Sequence, residues 1–509
     1  MALPLYLRPR LEPPLSTLLD EGALLHSLVD ALGSPLNLLL PERIAQNARR
    51  FRDVYRRHHL AGQVHFAHKA NGSHCLVRAL AATDPSVAGV DVASLGELRH
   101  ALESGIGPDR ILATGPKDPE FLWLAARTGT RVHLDSPAEL EQLAALVRRY
   151  ALPRAEVLLR LAEFAPTAGS GGVRLLSRRS RFGTPVRALE AALDLVERHR
   201  DAVELTGVGY HLDTTGIEEK ALALENCVQA LDLCRSRGLD PRSVDIGGGF
   251  GVGYARDAGE WERWTTALGQ AVLGNRPALT WRGHGYGLRN EGGTLRGSPA
   301  LYPAHRASAG PAYLDDLLRH PGPATGRPLG SLLLEHLYDL DCEPGRALVD
   351  QCGVSLARVV EVRRDLGDVL VRLAANAGDV ALEEHGVLVD PVLVPRDGSP
   401  EGGPRGGDPQ EGEPQGGEPR GGAGVFLMGN LCLEADLITR RKVFLPRLPR
   451  PGDLLAFANT AGYAMDFHAH RAQRQPLART VAVTREGTSW RWCPDERYWP
   501  ISPSGGTAS

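Results

Sequence analysis

The sequence predicts an α/β plus β protein, with a TIM-like (β/α)8 barrel joined to a C-terminal antiparallel β domain. Three observations predict it. From about residue 36, short apolar runs alternate with longer amphipathic stretches, the pattern of parallel β/α units. Residues able to do chemistry fall where those apolar runs end, which is where a barrel carries its reactive groups. Beyond about residue 347 the pattern changes to Val-rich alternation, as in antiparallel strands.

Residues 1–35 are expected to form an N-terminal segment that packs on the β domain. The barrel is expected over residues 36–347. Its strand candidates are Val64–Lys69, Gly89–Val92, Arg110–Ala113, Arg131–Leu134, Glu156–Leu161, Leu205–His211, Ser243–Ile246 and Tyr338–Cys342, while Leu36–Leu40 ahead of them either belongs to the barrel or leads into it. Between them, Ser73–Ala82, Leu95–Glu103, Pro137–Arg149, Val186–His199 and Ile217–Arg237 carry the i, i+3, i+4 apolar spacing of helices. An open doubly wound sheet is the alternative for such a pattern. Lys69, Asp91, His211, Gly247 to Gly249 and Glu343 all fall at strand ends, which favours the barrel. A Gly-, Arg-, Pro- and Tyr-rich insertion spans 282–330. The β domain, residues 348–509, is expected to hold strands at Val354–Arg363, Asp368–Ala374, Gly386–Val394, Gly424–Leu427, Asp453–Phe457 and Thr480–Val483. Residues 396–423 repeat Gly, Pro and Glu and cannot bury enough surface to offset ordering, so a disordered surface loop is expected there.

Composition narrows the function. The 509 residues are 42% hydrophobic and 23% charged, with a net charge of -3, which is ordinary globular protein. No basic excess points to nucleic acid or an anionic membrane surface. The seven cysteines are scattered, odd in number and free of CxxC pairs, which argues against a disulfide framework or a zinc knuckle. No secretory leader is legible at Met1-Ala2-Leu3-Pro4-Leu5, and no segment approaches the ~20 apolar residues of a membrane span. A cytoplasmic location and no bound metal are the expectations.

Lys69 carries the chemistry in Phe66-Ala67-His68-Lys69-Ala70-Asn71. Lysine at the end of a core strand either snorkels or is used, and a partly desolvated amine becomes a nucleophile toward carbonyls. The commoner fate of one such lysine is a solvated edge. Four further motifs join it. Asp245-Ile246-Gly247-Gly248-Gly249-Phe250 lets backbone N–H groups converge on an anion such as phosphate, or makes a plain tight turn. Cys342-Glu343-Pro344-Gly345-Arg346 offers a carboxylate and an arginine within four residues, for a cofactor's cationic nitrogen and phosphate or for a loop salt bridge. Gly429-Asn430-Leu431-Cys432-Leu433-Glu434 holds either a reactive or a merely buried cysteine. Asn459-Thr460-Ala461-Gly462-Tyr463 holds a tyrosine that suits a ligand or the core.

In order and spacing, these motifs resemble the fold type III pyridoxal-phosphate decarboxylases, the group of diaminopimelate, ornithine and arginine decarboxylases. The resemblance runs from about residue 36 to 490 outside the two insertions, and includes Asp91-Val92-Ala93-Ser94-Leu95-Gly96-Glu97 and Thr114-Gly115-Pro116-Lys117. It implies an alanine-racemase-like barrel, pyridoxal 5'-phosphate as cofactor, an amino-acid substrate, and a head-to-tail homodimer with shared active sites. By the same resemblance Lys69 forms the internal aldimine and His211 stacks on the cofactor ring. Thr214 falls where a serine contacts the phosphate, and Gly247, Gly248 and Gly249 cradle it. Glu343 pairs with the pyridine nitrogen, while Gly345, Arg346 and Tyr463 bind the cofactor, with Asp91 and Arg160 in support. Cys432 of the partner subunit returns the proton as general acid. Decarboxylation of an amino acid or an amino-acid conjugate is the implied function. A racemase on the same barrel and a non-catalytic decarboxylase-like binding protein are the competing readings.

The substrate half departs from the family. Leu433 stands where an acidic residue follows the cysteine, and Glu434 is one step on, on the opposite face if the segment is a strand. His211-Leu212-Asp213-Thr214 replaces His-Val-Gly-Ser, and no Arg-Pro-Ala-Leu-Tyr stretch occurs between 370 and 395. The insertion from Trp281 and the phrase from Asn459 to Phe467 look more like relatives in siderophore and other secondary pathways, which act on larger conjugates.

Overall fold

The structure is a computed structural model that describes residues 4–164, 179–212, 214–397 and 422–500. Asp213 and most of the Gly/Pro/Glu repeat expected to be disordered, residues 398–421, lie outside the described residues. The chain divides into two compact units. One comprises residues 1–41, 252–307 and 350–497, and the other 42–251, 308–349 and 498–509.

The first strand, β1 (Leu36–Leu39), belongs to the sheet unit rather than the barrel, pairing antiparallel with the strand from Gly353 and parallel with the strand from Arg479. The barrel is built from β2 (His65–Ala67), β3 (Gly89–Val92), β4 (Ile111–Ala113), β5 (Arg131–Leu134), β6 (Ala155–Ala162), β7 (Val203–Gly209), β8 (Ser243–Asp245) and β9 (Asp339–Asp341). Each strand pairs in parallel with the next in sequence. The ring closes through a parallel bridge between Val64 and Cys342, with His65 N–H donating to Cys342 O at 2.8 Å and Cys342 N–H to Gln63 O at 3.0 Å. Most of these strands are buried along their length, as expected where helices cover a parallel sheet.

Local chemistry starts the helices. Ser94 Oγ accepts from Glu97 N–H at 3.2 Å and so caps the helix Leu95–Glu103, while the Glu97 carboxylate accepts from Ala93 N–H at 2.6 Å just ahead of it. Asp118 and Ser136 cap the helices Pro119–Thr128 and Pro137–Arg149, each with proline at its first position. Helices Glu42–Arg57 and Pro119–Thr128 also occur, beyond the five expected from spacing.

The sheet unit is mixed rather than wholly antiparallel. Its further strands are β10 (Gly353–Asp365), β11 (Asp368–Leu373), β12 (Val392–Val394), β13 (Ala423–Met428), β14 (Val443–Leu445), β15 (Leu454–Ala458), β16 (Arg479–Glu486) and β17 (Ser489–Pro494). They run in the order β14-β13-β11-β10-β1-β16-β17, with β15 pairing both β10 and β12. The β1–β16 and β11–β13 pairings are parallel. A register shift between Val359 and Glu361 lets β10 serve β1 and β15 with its first half and β11 with its second. The strand expected at Gly386–Val394 shortens to Val392–Val394, just past Pro391, which has no N–H for a ladder. Leu15, Leu18, Leu25, Leu28 and Val29 pack with Leu36, Leu38, Val354, Leu356 and Ala456 in one core. Residues 252–307 join this unit, and Trp264, Leu268 and Tyr286 pack with Leu7 and Leu388. The 282–330 insertion is therefore divided between the units at about residue 307, rather than being an appendage of the barrel.

Candidate active site

The C-terminal ends of the barrel strands gather the titratable residues. Strand β2 stops at Ala67, and Lys69 sits in a following 3-10 turn, His68–Ala70. Its side chain keeps 37% exposure, and its Nζ lies 3.9 Å from Asp91 Oδ2. Asp91, on β3, is 1% exposed, and its Oδ1 accepts a hydrogen bond from Thr114 Oγ1. Burial, reinforced by the charge of Glu343, pushes the Asp91 carboxyl up to about 7 against the opposing pull of Lys69.

Glu343 follows β9 and is buried. His211 Nδ1 lies 3.1 Å from its Oε2, and His133 Nδ1 lies 3.9 Å from its Oε1. Burial alone would raise this carboxyl, but the two histidines overcome it and hold Glu343 well below the usual carboxylate range. Burial pushes both histidines down, against the opposing pull of Glu343. Asp245, at the end of β8, is driven well above the usual range by burial and by its neighbours Glu343 and Asp341. In this pair Glu343 carries the charge and Asp245 the proton.

Gly247 and Gly249 adopt φ of 60° and 85°. Gly247 N–H donates to Asp245 Oδ1 at 2.8 Å. A Cβ on Gly247 would come 2.6 Å from Tyr210 O, one on Gly248 2.9 Å from Glu343 O, and one on Gly249 2.6 Å from Thr214 O. Only glycine lets this turn lie flat against the loops after β7 and β9. Among the described residues, the N–H groups of Gly248 and Gly249 have no protein acceptor. Thr214 Oγ1 accepts from Gly216 N–H at 2.9 Å, ahead of the helix Ile217–Ser236. Gly345 and half-buried Arg346 complete the loop that begins at Glu343.

Arg160, on β6, donates to Asp135 Oδ1 at 2.9 Å and lies 4.9 Å from the Phe182 ring centre. Behind it, Lys117 Nζ pairs with Glu139 at 3.2 Å and donates to His133 O at 2.7 Å. Sequence reading missed His133 and Asp245 as site residues. Asp245 directly precedes the glycine run, which was a usable signal; His133, inside a strand, left none. Ligand atoms of His133, Asp245 and Glu343 lie within 4.8 Å of one another, a spacing that would also suit a metal ion.

Tyr463 and Cys432 belong to the sheet unit. Tyr463 has φ of 67°, and its ring lies 5.7 Å from His385 and 5.8 Å from Phe467 between centroids. Cys432 is free and exposed, and its N–H donates to Gln473 Oε1 at 2.9 Å. It lies in a loop, not a strand, so the alternation used to weigh Leu433 against Glu434 does not apply. Both side chains are open to solvent, Leu433 at 57% and Glu434 at 83%.

Residues 42–278 match the family model for the pyridoxal-binding domain of pyridoxal-dependent decarboxylases. Over 489 residues the chain is 28% identical to a diaminopimelate decarboxylase of Actinosynnema pretiosum, covering 94% of this chain and 91% of that protein. These matches support the fold type III pyridoxal-phosphate-dependent decarboxylase family as this chain's relatives. The chain is also 28% identical, over 473 residues and 91% of each chain, to the uncharacterized protein y4yA of Sinorhizobium fredii. Among solved structures, a diaminopimelate decarboxylase from M. jannaschii superposes with a TM-score of 0.66 at 18% identity, covering 92% of this chain and 90% of that one. The arginine decarboxylase of Paramecium bursaria Chlorella virus gives 0.62 at 17% identity, covering 91% of this chain and 100% of that one. These likenesses carry the fold. Apart from y4yA, these relatives and neighbours are amino-acid decarboxylases, and the matched family model is that of a pyridoxal-binding domain.

The residues present fit pyridoxal phosphate. A turn that any Cβ would fill, with two N–H groups lacking acceptors, suits a phosphate. A buried carboxylate held ionised suits a protonated ring nitrogen. A half-exposed lysine beside Asp91 suits the aldehyde.

Proposed function

We propose that the protein decarboxylates an amino acid or amino-acid conjugate, with Lys69, His211, Glu343 and Cys432 as its catalytic residues. The observation that supports this most is the buried Glu343 carboxylate, kept charged by His133 and His211 within one ring of strand ends that also carries Lys69 and the glycine turn. Pyridoxal phosphate, when bound, supplies an electron sink for the charge left by departing carbon dioxide.

The protein's own groups then have separate tasks. Lys69 offers an amine whose exposure lets a carbonyl reach it, while Asp91 beside it orients that amine. Glu343 holds a fixed negative charge and so favours a cation as its partner, which is the opposite of what a racemase needs. His211 keeps 31% exposure, leaving a ring face open for stacking, while its Nδ1 is tied to Glu343. Gly247, Gly248, Gly249, Thr214, Gly345, Arg346 and Tyr463 hold the phosphate, and Arg160, anchored by Asp135, supports the cofactor. Cys432, an exposed free thiol, acts from a second copy of the chain in a head-to-tail homodimer and returns a proton to the substrate carbon.

Leu433 beside Cys432 is apolar, so a free cationic tail would find no partner there, and a larger conjugate of the kind made in secondary pathways fits better. Incubating the protein with pyridoxal phosphate and a panel of amino acids and conjugates, while measuring carbon dioxide and substrate chirality, tests the reading. Carbon dioxide release that disappears in Lys69→Ala is expected. Racemisation without carbon dioxide would overturn it.

A further inference from the structure

Lys220 is a fully buried lysine with no carboxylate partner among the described residues. It lies in the first turn of the helix Ile217–Ser236, and its exposure is 0%. Fully buried lysines are almost always paired, because an isolated ammonium is costly to remove from water. Among the described residues, no carboxylate lies within ion-pair distance of Lys220. Its Nζ instead donates to Gly248 O. It also lies 4.9 Å from the Phe250 ring centre and 5.5 Å from that of Tyr313. Two aromatic faces and one carbonyl stabilise an ammonium, but they bring no negative charge. Burial accordingly pushes the amine down to about 7, with Cys342 and Glu343 pulling the other way.

The acceptor decides what this amine is for. Gly248 is the middle residue of the glycine turn, and a Cβ on Gly249 would sit 3.0 Å from Lys220 Nζ, so the turn rests on the ammonium. A trans peptide is planar, with its C=O and the following N–H pointing to opposite sides. Lys220 holds the Gly248 carbonyl on its own side. The Gly249 N–H must therefore point away from Lys220, where no protein acceptor meets it among the described residues. An anion at that N–H would be separated from the ammonium by a single peptide group. That peptide's dipole, polarised by the lysine, would point its positive end at the anion.

We propose that Lys220 is a positioning residue for the cofactor's phosphate, clamping the Gly248–Gly249 peptide with its N–H aimed at the anion and supplying the buried counter-charge through that peptide. The inference rests on the reading of Gly247 to Gly249 as the phosphate cradle. It adds a lysine that touches neither phosphate nor substrate.

The test uses the full chain freed of cofactor, titrated separately with pyridoxal phosphate and with pyridoxal, which lacks the phosphate. Lys220→Met removes charge and donor yet fits an apolar aromatic box; Lys220→Gln keeps a donor without the charge. Lys220→Met should weaken pyridoxal phosphate binding by roughly 10- to 100-fold, the range for a hydrogen bond involving a charged group. Pyridoxal affinity should change by less than about 2-fold, since the effect acts only through phosphate. Lys220→Gln should fall between Lys220→Met and wild type, and serves alone if Lys220→Met does not fold. The bound phosphate's 31P resonance should shift in both variants. Equal loss of affinity for both ligands, or no loss for either, would overturn the proposal. Wild-type protein binding pyridoxal as tightly as pyridoxal phosphate would instead mean that the cradle reading itself has failed.

Discussion

Asp91→Asn should stabilise the cofactor-free protein at pH 8 while impairing its activity. Asp91 is 1% exposed, and its carboxyl stands at about 7 against an ordinary 3.8. A shift of about three pH units corresponds to about 4 kcal/mol, which the folded state loses when the group ionises. Asparagine removes that loss and keeps an oxygen for Thr114, but it buries an amide where Asp91 Oδ2 has no hydrogen-bond donor facing it. An unsatisfied amide costs about 1–3 kcal/mol, leaving a net gain of about 2 kcal/mol at pH 8. The sign follows from the raised pKa. Above pH 7 both folded and unfolded Asp91 are ionised, and the wild type bears the full loss. Between pH 7 and about 4 the folded carboxyl is protonated while the unfolded one is not, so wild-type stability recovers by about 1.4 kcal/mol per pH unit. The variant's advantage should thus vanish near pH 5 to 6 and reverse below it. Denaturant midpoints for both proteins from pH 4.5 to 8.5 measure this directly. A variant less stable at pH 8, or a gain that does not depend on pH, would refute the argument.

Three further outcomes are expected. Glu343→Gln should lower kcat far more than cofactor affinity, because it keeps a hydrogen-bonding group for His211 but loses the charge; equal kcat in mutant and wild type would remove that role. Lys69→Ala and Cys432→Ala, each nearly inactive alone, should recover about a quarter of wild-type activity when their subunits are exchanged, since about half the dimers are mixed and each mixed dimer has one intact site of two. No recovery, with exchange verified by mass, would place Cys432 at its own chain's site or outside catalysis. Asp436→Ala should reduce kcat with little change in cofactor binding, because Asp436 accepts from Leu431 N–H at 2.7 Å and Ala377 N–H at 2.8 Å and so fixes the loop that carries Cys432. Unchanged kcat would mean that the loop needs no such clamp.

The barrel was legible because each unit announces itself locally. Apolar runs mark strands, and i, i+3, i+4 apolar spacing marks helices such as Leu95–Glu103 and Pro137–Arg149, although it did not pick out Pro119–Thr128. What was not legible depends on distant pairing. Leu36–Leu39 is an apolar run like any barrel strand, and only its partners, Gly353–Leu356 and Arg479–Ala482, assign it to the other sheet. Nothing local in residues 252–307 says that Trp264 and Tyr286 pack with Leu7 and Leu388. The site shows the same division. Lys69, Asp91, His211, the glycine run and Glu343 stood out by motif. Asp245 stood in view beside the glycines, but its role depends on Glu343, nearly a hundred residues away in sequence. His133 and Lys220 are ordinary residues in a strand and a helix until the fold sets them against Glu343 and Gly248.

The residues proposed for the cofactor and the segment around Cys432 obey different physical constraints, which accounts for the first keeping the family pattern while the second departs from it. The residues proposed for the cofactor sit where almost nothing can change. A Cβ at any of the three glycines would come within 3 Å of a backbone oxygen, and Glu343 is fixed by two histidines inside the barrel. The segment from Gly429 to Asp436 is built the opposite way. Its backbone is clamped, with Gly429 N–H donating to Asp436 O at 2.8 Å and a Cβ at Gly429 excluded by the Asp436 carboxylate. Its tip is free, with Cys432, Leu433 and Glu434 all exposed. A clamped base with a free tip lets the residue after the cysteine change without moving the cysteine. Glu434 pairs with Arg282 at 2.9 Å, with both side chains exposed. On this argument Leu433→Asp should raise kcat/KM for a diamino acid with a cationic tail and leave cofactor binding unchanged. Efficient turnover of meso-diaminopimelate or ornithine by the unmodified protein would refute the link between Leu433 and substrate choice, and would leave the decarboxylase assignment intact.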